Sequence, residues 1–344
     1  MLKVGFVIEN YYPGYGGPYS AIKETIRQLT KTNKIRIKLI YKNSNNRKKN
    51  INLYKNLSSV DICHFYGGWT YFYLKATSIA FKLKKKVIFH PFGIFEPWTM
   101  SQKKIKKKIA WFLYQEKILK KSNLIHCVSE MEEDNLLKLN KGFKTIVLPY
   151  GISSQFITSS IKKKIKKKAL FFSRLHPKKG LTDLIKVWLE INDKDWVLDI
   201  VGPCADQEYY NSLLDIIKEK NNFKINLLNP IFSETKKKKL FGNYDFLILP
   251  TKNDPFGMVI LESLARGLPV LTNNNTPWSI IKDCNAGWFI NDNYTDLRLI
   301  LKKIFNTSKK EFYFKSKNAI KLSKNFKWQS LSKAYISMYK SLYN

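Results

Sequence analysis

Short apolar runs alternate with amphipathic stretches along most of the chain. The first run, "KVGFVIE" at residues 3–9, leads through a Gly- and Tyr-rich loop into "SAIKETIRQLTK", whose apolar residues recur at helical spacing. Five further runs precede residue 152, namely "IRIKLI", "VDICHFYG", "KVIFHPFG", "NLIHCVS" and "KTIVLPYG". Because such strands alternate with helices of about 10–15 residues, the pattern predicts a doubly wound parallel sheet.

A second series of the same kind begins at "ALFFSRL" (169–175). It continues through "WVLDIVG", "INLLNPI", "YDFLILPT" and "PVLTN", with helical patterns between them, and ends in a mostly helical tail. The pattern therefore predicts an α/β protein with two Rossmann-like domains, and the cleft between them is the default active site. We place the first domain at 1–157, an exposed Lys-rich linker at 158–168, the second domain at 169–325 and a C-terminal helix at 326–344.

Composition excludes several classes of protein. Apolar residues make up 44% of the 344 residues, which is enough to bury large cores and too many for a disordered chain. The four cysteines form no CxxC pair, so we expect reduced thiols in the cytoplasm and neither a zinc site nor a disulfide framework. We also expect no signal peptide and no membrane span, because no apolar run is long enough.

Positive charge is concentrated in the first half of the chain. The formal net charge is +35, and residues 1–168 hold 34 Lys and Arg against 9 Asp and Glu. This asymmetry indicates an anionic partner, which could be a membrane surface, a nucleic acid or a phosphorylated substrate. A nucleic acid is not expected, because the run Lys162–Lys168 has no interleaved aromatic residues and no nucleic-acid motif is present.

A basic helix predicted at 103–122 offers one route to a membrane. Its apolar face is formed by Ile105, Ile109, Phe112 and Leu119, with lysines around them. Basic amphipathic helices can rest on anionic lipid, but the same face could instead pack on the sheet. Either arrangement leaves the lysines free, so we expect a peripheral protein at the inner face of the plasma membrane.

The loops that follow the strands are expected to hold the ligand, because open α/β sheets bind ligands beyond the carboxyl ends of their strands. After the first strand, Gly14–Gly17 lacks the GxGxxG spacing and no acid ends the second strand, so no dinucleotide cofactor is expected. Gly16 and Gly17 either let the backbone approach a ligand or form a plain tight turn. Gly202, after "WVLDIV", is another point of close approach.

Two stretches of the second domain contain the candidate chemistry. In "RLHPKKG", Arg174 and Lys179 precede Gly180 at a helix start, a combination that favours phosphate, although a solvated basic loop would have the same sequence. In "NDPFGMVILE", Asp254 can cap the following helix, and Glu262 ends an apolar run that would partly bury its carboxylate. A buried carboxylate needs partners, and ligand hydroxyls are suitable ones.

Together these stretches resemble retaining glycosyltransferases of family 4, which have the GT-B fold of two Rossmann-like domains facing across a central cleft. That family shows Gly-Arg-Leu and Lys-Gly after a strand, and later two Glu separated by seven residues around Phe-Gly. The matching residues are Ser173, Arg174, Leu175, Lys179 and Gly180, then Asp254, Phe256, Gly257 and Glu262. Segments at 61–69, 91–99, 124–132, 147–152 and 326–339 resemble the family too, so the resemblance covers nearly the whole chain.

The resemblance implies a nucleotide-sugar donor, UDP- or GDP-linked, on the second domain and a glycan or lipid-linked acceptor on the first. It implies no metal, no other cofactor and a C-terminal helix that returns to the first domain. Arg174 and Lys179 would bind the diphosphate, Glu262 the ribose and Asp254 the sugar hydroxyls, and these four form the expected catalytic set. The expected donor-binding positions are Gly16, Gly17, Gly202, Phe256, Gly257, Met258 and Val259. Transfer of this kind would serve bacterial surface polysaccharide or lipopolysaccharide synthesis.

Departures from the family pattern bear on the substrate. Asp254 replaces a Glu, and Phe92 replaces a polar residue before the glycine of "PFG". His90, His64 and His126 are candidates beside Phe92 on the acceptor or sugar side, although a structural role suits His64 and His126 better. A GT-B nucleotide-sugar epimerase or phosphorylase would keep the same motifs and is an alternative, as is a non-specific nucleic-acid-binding protein.

Overall fold

The computed structural model describes residues 1–42, 52–161, 164–219 and 224–343. Backbone contacts divide the chain into two units, one formed by Met1–Gly151 with Trp328–Asn344 and the other by Ile152–Lys327. The first boundary thus lies at Gly151 rather than at residue 157. The final segment rejoins the first unit at Trp328 rather than at residue 326.

The described part of the first unit contains one parallel sheet of six strands. The strands are β1 (Leu2–Ile8), β2 (Ile35–Tyr41), β3 (Ile62–Tyr66), β4 (Lys86–His90), β5 (Leu124–Cys127) and β6 (Thr145–Val147). Their order in the sheet is β2-β1-β3-β4-β5-β6. The helices that follow are α1 (Gly17–Thr30), α2 (Leu53–Ser58), α3 (Tyr71–Lys82), α4 (Pro97–Ser101), α5 (Lys104–Ala110), α6 (Glu116–Lys121) and α7 (Glu130–Leu137). β3 is buried along its whole length, as expected for a central strand of a parallel sheet.

The described part of the second unit contains another parallel sheet of six strands. The strands are β7 (Lys168–Phe172), β8 (Val197–Val201), β9 (Ile225–Leu228), β10 (Phe246–Leu249), β11 (Val270–Asn273) and β12 (Gly287–Ile290), in the order β12-β11-β10-β7-β8-β9. The helices are α8 (Leu181–Ile191), α9 (Gln207–Glu219), α10 (Glu234–Phe241), α11 (Met258–Ala265), α12 (Ile280–Asp283), α13 (Tyr294–Phe305) and α14 (Lys309–Ser323). The α/β prediction is confirmed, and β12 is a strand that the sequence pattern missed.

The last helix of the chain, α15 (Trp328–Tyr343), belongs to the first unit. It buries Trp328, Tyr335 and Tyr339 in a cluster that also contains Phe6 of β1. A Cβ on Gly151 would lie 2.8 Å from the ring of Trp328, so the chain can pass this ring only at a glycine. The core of the first unit is therefore made from both ends of the sequence.

The stretch predicted as a linker is attached to the second unit instead. The N–H groups of Lys166 and Lys168 donate to Oδ2 of Asp245 at 2.9 and 3.0 Å. The N–H of Thr158 donates to the carbonyl of Ala265 at 2.9 Å. Lys162 and Lys163 lie outside the described residues. The described parts of 158–168 therefore lead directly into β7, because Asp245 supplies an acceptor for two of their backbone N–H groups.

The basic helix predicted at 103–122 consists of α5 and α6 with a π-helical turn, Trp111–Gln115, between them. A π-helical turn contains more residues than an α-helical one, so it rotates everything beyond it relative to α5. Leu119 is consequently buried, and its predicted place on the apolar face is wrong. Four apolar side chains are exposed on the helix, namely Ile105 (77%), Ile109 (54%), Phe112 (70%) and Leu113 (72%). We call these four residues the apolar patch.

Candidate active site

The candidate active site lies where the strands at the centre of the second sheet end. β7 pairs with both β8 and β10, so the loops that follow these three strands are neighbours. A Cβ on Gly202 would lie 1.7 Å from the carbonyl oxygen of Ser173, and a Cβ on Gly180 would lie 1.9 Å from that of Pro250. Glycine is required at both positions, because the backbones touch there. Gly202 was predicted to be a point of close approach, and the group that it approaches is the backbone of Ser173 in the protein itself.

An ion pair joins two residues that the sequence assigned to different parts of a ligand. Lys179 ends a 3-10 turn and is buried, and its Nζ lies 2.6 Å from Oδ2 of Asp254. Oδ1 of Asp254 accepts hydrogen bonds from the N–H groups of Gly257 at 2.6 Å and Phe256 at 3.3 Å. Asp254 therefore fixes the turn that precedes α11 and pairs with Lys179, but the N-cap of α11 is Gly257, so the predicted N-cap role of Asp254 is wrong.

The ion pair sets the charge of the Asp254 carboxylate. Burial alone would raise the pKa of Asp254, but the ammonium of Lys179 together with its other neighbours outweighs burial and holds that pKa below its usual value. The ammonium of Lys178 and the N–H of Gly257 act in the same direction. Asp254 is therefore ionised at neutral pH, and it balances the charge of Lys179.

A second ion pair lies on the next turns of α11. Glu262 is buried, as the sequence predicts, and its Oε1 accepts a hydrogen bond from Nζ of Lys237 at 2.6 Å. Lys237 belongs to α10, and its Nζ lies 5.6 Å from the centre of the Phe172 ring at the end of β7. Burial of a carboxylate is costly unless the charge is paired. Lys237 supplies that partner, and the sequence analysis missed it.

Lys237 was missed because it stands in a run of four lysines. A run such as Lys236–Lys239 is ordinarily a solvated face, and Lys236 and Lys239 are indeed exposed. Helical spacing is the signal that could have identified Lys237. It lies four residues before Phe241, which is fully buried, so the two share the inward face of α10.

Positive charge surrounds the turn after β7. Arg174 is half-buried, and among the described residues it has no ion-pair partner. Burial lowers the pKa of His176, and the charges of Arg174, Lys178 and Lys179 lower it further. The grouping of several cations beside one turn favours binding of an anion such as phosphate.

The N-terminus of α11 provides backbone donors to the same region. The N–H groups of Phe256 and Gly257 are already bonded to Asp254. Those of Met258 and Val259 belong to the first helical turn, where an α-helix leaves the N–H groups without a partner in the helix. The positive end of the helix dipole also lies there. Of the four predicted backbone contacts, Met258 and Val259 are thus the ones whose N–H groups have no acceptor among the described residues.

Two predicted donor-binding glycines lie in the first unit, after β1. Gly16 has a left-handed backbone, with φ of +73°, and it precedes the first residue of α1, Gly17. A Cβ built on Gly17 would have no other atom within 4 Å, so the space beside the Cα of Gly17 is open. This geometry leaves room for a ligand and equally suits a plain turn.

The three predicted histidines lie inside the first unit. His64 is the central residue of β3, His90 ends β4 and His126 is next to the end of β5, and all three are fully buried. Burial lowers the pKa of each imidazole, that of His126 to about 4. Their burial and neutrality correspond to a structural role, and a bound acceptor would not reach them without displacing the core.

A closed set of hydrogen bonds fixes the tautomers of these imidazoles. Nε2 of His126 donates to the carbonyl of Leu148 at 2.8 Å, so its Nδ1 is the acceptor and faces Nε2 of His64 at 3.4 Å. His64 then accepts at Nδ1 from the hydroxyl of Tyr339 at 2.9 Å. His90 donates from Nδ1 to the carbonyl of His126 at 2.7 Å and accepts at Nε2 from the hydroxyl of Tyr150 at 2.7 Å. Every ring nitrogen has a partner in the neutral form.

Phe92 differs from the histidines, because its backbone is strained. It has a φ of +62°, which is unusual for a bulky residue. The next residue, Gly93, donates its N–H to the carboxylate of Glu132 at 2.7 Å, and Glu132 also accepts from Val128 at 2.9 Å. Burial raises the pKa of Glu132 to about 8. Strain of this kind concentrates at functional sites, so Phe92 is the acceptor-side candidate that the geometry favours.

Comparison with known proteins agrees with this geometry. Residues 154–321, slightly less than half of the chain, match the family described as Glycosyl transferases group 1. A Klebsiella pneumoniae protein described as an uncharacterized 41.2 kDa protein in the cps region is 27% identical over 305 residues, which are 82% of this chain and 79% of that protein.

Solved structures resemble the whole chain. Sucrose-phosphate synthase from Thermosynechococcus elongatus has a TM-score of 0.82 at 13% identity, over 100% of this chain and 99% of that one. Anabaena HepE in complex with UDP and glucose has a TM-score of 0.79 at 16% identity, over 99% of this chain and 100% of that one. At these identities the likeness establishes the fold, which is the GT-B fold. The second unit contains the segment that matches the Glycosyl transferases group 1 family.

Proposed function

We propose that this protein is a retaining, metal-independent glycosyltransferase of family 4. It transfers a sugar from a UDP- or GDP-linked donor to a glycan or lipid-linked acceptor. The observation that carries the proposal is the placement of two buried ion pairs, Lys179–Asp254 and Lys237–Glu262, along α11 of the glycosyltransferase domain. The cations suit the diphosphate of such a donor, and the carboxylates suit its hydroxyl groups.

The diphosphate subsite has the donors that a charged leaving group requires. We assign it to Arg174, Lys179 and the N–H groups of Met258 and Val259. As the bond between sugar and phosphate breaks, negative charge grows on the diphosphate, and fixed cations and N–H groups stabilise it. The two side-chain cations supply charge that a divalent metal supplies in other enzymes. Transfer should therefore proceed unchanged in EDTA.

The sugar subsite is assigned to Asp254. Both of its oxygens already have protein partners, namely Lys179 on one side and Gly257 on the other. A donor sugar would therefore meet a carboxylate that is fixed in place and oriented, and its hydroxyls would use the remaining lone pairs. An Asp is one C–C bond, about 1.5 Å, shorter than a Glu, so this subsite has more room beside the carboxylate than one built with Glu.

Surface polysaccharide or lipopolysaccharide synthesis is the process that we propose for this transfer. The Klebsiella relative is described by its place in a cps region. A structure of Anabaena HepE was determined with UDP-glucose, and it has a TM-score of 0.78 against this chain at 16% identity. These two likenesses support a nucleotide-sugar donor and a polysaccharide context.

Incubation with UDP-, GDP- and ADP-sugars tests the proposal. We expect one donor to raise the melting temperature and to release its nucleoside diphosphate only when an acceptor glycan or lipid is added. Release without an acceptor, with an epimerised sugar as product, would instead identify an epimerase. No stabilisation by any nucleotide sugar would contradict the proposal.

A place at the membrane is the second part of the proposal. No described helix is long and apolar enough to cross a bilayer. The apolar patch is exposed, and Lys104, Lys106 and Lys108 of the same helix are exposed beside it. Ile105 and Ile109 are spaced at i and i+4 on one face of α5, and Phe112 and Leu113 lie in the π-helical turn that follows. We infer that this face enters an anionic lipid surface on the cytoplasmic side, each nearby lysine contributing about 1 kcal/mol.

Replacing Phe112 and Leu113 by serine should weaken binding to lipid. A buried side chain of this size contributes about 1.5–3 kcal/mol, so we expect the double variant to partition at least tenfold less onto vesicles that contain anionic lipid. Co-sedimentation measures this. Leu299→Ser is the matched control, because Leu299 is 62% exposed on α13 of the second unit. Failure of the wild type to co-sediment with anionic vesicles would rule out the membrane assignment, and equal co-sedimentation with neutral vesicles would rule out the contribution of the lysines.

A further inference from the structure

We propose that Lys237 and Glu262 together form the ribose subsite of the donor, with Lys237 as a ligand-binding residue in its own right. The pair would bind the two adjacent hydroxyls of the ribose, and Lys237 would hydrogen-bond one hydroxyl oxygen directly. This inference rests on the proposed nucleotide-sugar donor and adds a binding residue to it.

The hydrogen-bonding capacity of the pair is only partly used within the protein. An ammonium has three N–H donors, and Lys237 gives one of them to Oε1 of Glu262. Within the described ranges, Oε2 of Glu262 accepts no hydrogen bond, and no acceptor other than Glu262 faces Nζ of Lys237. The ring of Phe172 covers the ammonium on one side without offering an acceptor. Two N–H donors and one carboxylate oxygen are therefore available to a ligand.

The unused groups match a pair of adjacent hydroxyls. A hydroxyl both donates and accepts, whereas a carboxylate only accepts and an ammonium only donates. Glu262 alone would leave the oxygens of the ribose hydroxyls without a donor. With Lys237 beside it, one hydroxyl can donate to Oε2 while the other accepts from Nζ. Charge-assisted bonds of this kind are the stronger ones.

Stability alone does not account for the ion pair of Lys237 with Glu262 at this position. A buried ion pair is often no more stabilising than apolar residues of similar volume, because both charges lose their hydration. The neighbours Phe172 and Phe241 would suit an apolar side chain equally well. Lys238, by contrast, pairs with Glu234 on the same helix at 2.9 Å, where Glu234 is half exposed. Within Lys236–Lys239, Lys237 is thus the buried lysine, and ligand binding would explain its burial.

The test compares nucleotides that differ only in the ribose. Affinities for UDP, 2′-deoxy-UDP and 3′-deoxy-UDP are measured by calorimetry, or for the guanosine set if GDP is the donor nucleotide. For the wild type we expect each lost hydroxyl to weaken binding by about ten- to a hundredfold. In Lys237→Met, one of these two ratios should fall below about threefold. Lys239→Met makes the same change of net charge on the exposed side of α10 and should keep both ratios.

A second variant keeps the charge in case Lys237→Met does not fold. The fork of an arginine pairs bidentately with a carboxylate, so Lys237→Arg should occupy both oxygens of Glu262 and also lower the ribose ratios. Unchanged ratios in folded Lys237→Met or Lys237→Arg would overturn the inference and leave the proposed function intact. If the wild type bound no nucleoside diphosphate, the proposed function would fall, and this inference with it.

Discussion

Replacing Lys179 by alanine is expected to lower kcat/KM for sugar transfer by about 100- to 1000-fold. The ammonium of Lys179 is held beside Asp254 at 2.6 Å, where we place the diphosphate that leaves. Removal of one preorganised donor to a developing anion costs about 3–4 kcal/mol of transition-state stabilisation. Initial rates of nucleoside diphosphate release over a range of donor concentrations give this ratio directly.

We expect Lys179→Ala to stay folded, so the fall in kcat/KM reports the loss of transition-state stabilisation and not unfolding. Asp254 loses the ammonium of Lys179, but it keeps the hydrogen bonds from the N–H groups of Phe256 and Gly257. Its side chain is also about one-fifth exposed. We therefore expect a loss of a few degrees in melting temperature. Lys178→Ala is the matched control, because it removes one positive charge from the neighbouring residue. Wild-type turnover in folded Lys179→Ala would remove Lys179 from the site.

Acid should destabilise the first unit steeply below pH 6.5. His64, His90 and His126 are buried as neutral imidazoles, each with a lowered pKa. Above pH 6.5 both the folded and the unfolded chain hold them neutral. Below pH 6.5 these imidazoles bind protons in the unfolded chain but stay neutral in the folded unit. Each imidazole then lowers the free energy of unfolding by about 1.4 kcal/mol per pH unit, and for His126 this continues to about pH 4.

Glu132 works in the opposite direction over part of this range. Its pKa is about 8 in the folded unit and 4.5 in the unfolded chain. Between these values the folded unit binds a proton that the unfolded chain lacks, so stability rises as the pH falls. The carboxyl offsets one imidazole of the three between pH 6.5 and 4.5. The net slope there is about 2.7 kcal/mol per pH unit, and stability should be greatest near pH 6.5.

Denaturant titrations at pH 7.5, 6.5, 5.5 and 5.0 measure this slope. His126→Gln should reduce it by about 1.4 kcal/mol per pH unit, since one buried imidazole is gone. His176→Gln is the comparison and should reduce the slope less, because His176 is exposed on the turn after β7 of the second unit, although its pKa is also lowered. A free energy of unfolding that does not change between pH 6.5 and 5.0 would contradict the buried, neutral assignment.

Much of the fold was predictable because each strand of a parallel sheet is a compact apolar run between helices. This pattern predicts eleven of the twelve described strands. β12 is as short as several predicted strands, but its residues "GWFI" begin with a glycine, which weakens the strand pattern. That glycine is required by the neighbouring strand, since a Cβ on Gly287 would lie 2.1 Å from the carbonyl oxygen of Val270. A contact of this kind exists only after the two strands have paired, so periodicity cannot reveal it.

The sequence identified Lys179, Asp254 and Glu262 as candidate site residues, but it did not predict the ion pairs Lys179–Asp254 and Lys237–Glu262. Sequence motifs assign Lys179 to phosphate and Asp254 to sugar, and nothing in their spacing of 75 residues indicates an ion pair. Lys237 is hidden for a different reason. Its neighbours in sequence are chemically identical to it, and only the helical register separates the buried lysine from the exposed ones.

The position of α15 has a consequence for how the protein is made. The bond between His64 and Tyr339 joins residues 275 positions apart, and the loop that it closes contains the whole second unit. A ribosome therefore completes the continuous segment 152–327 before it supplies the helix that finishes the first core. The second unit can fold once its own last helix, α14, has emerged, whereas the core of the first unit must wait for α15. The first unit therefore begins before the second unit along the chain and completes its core after it.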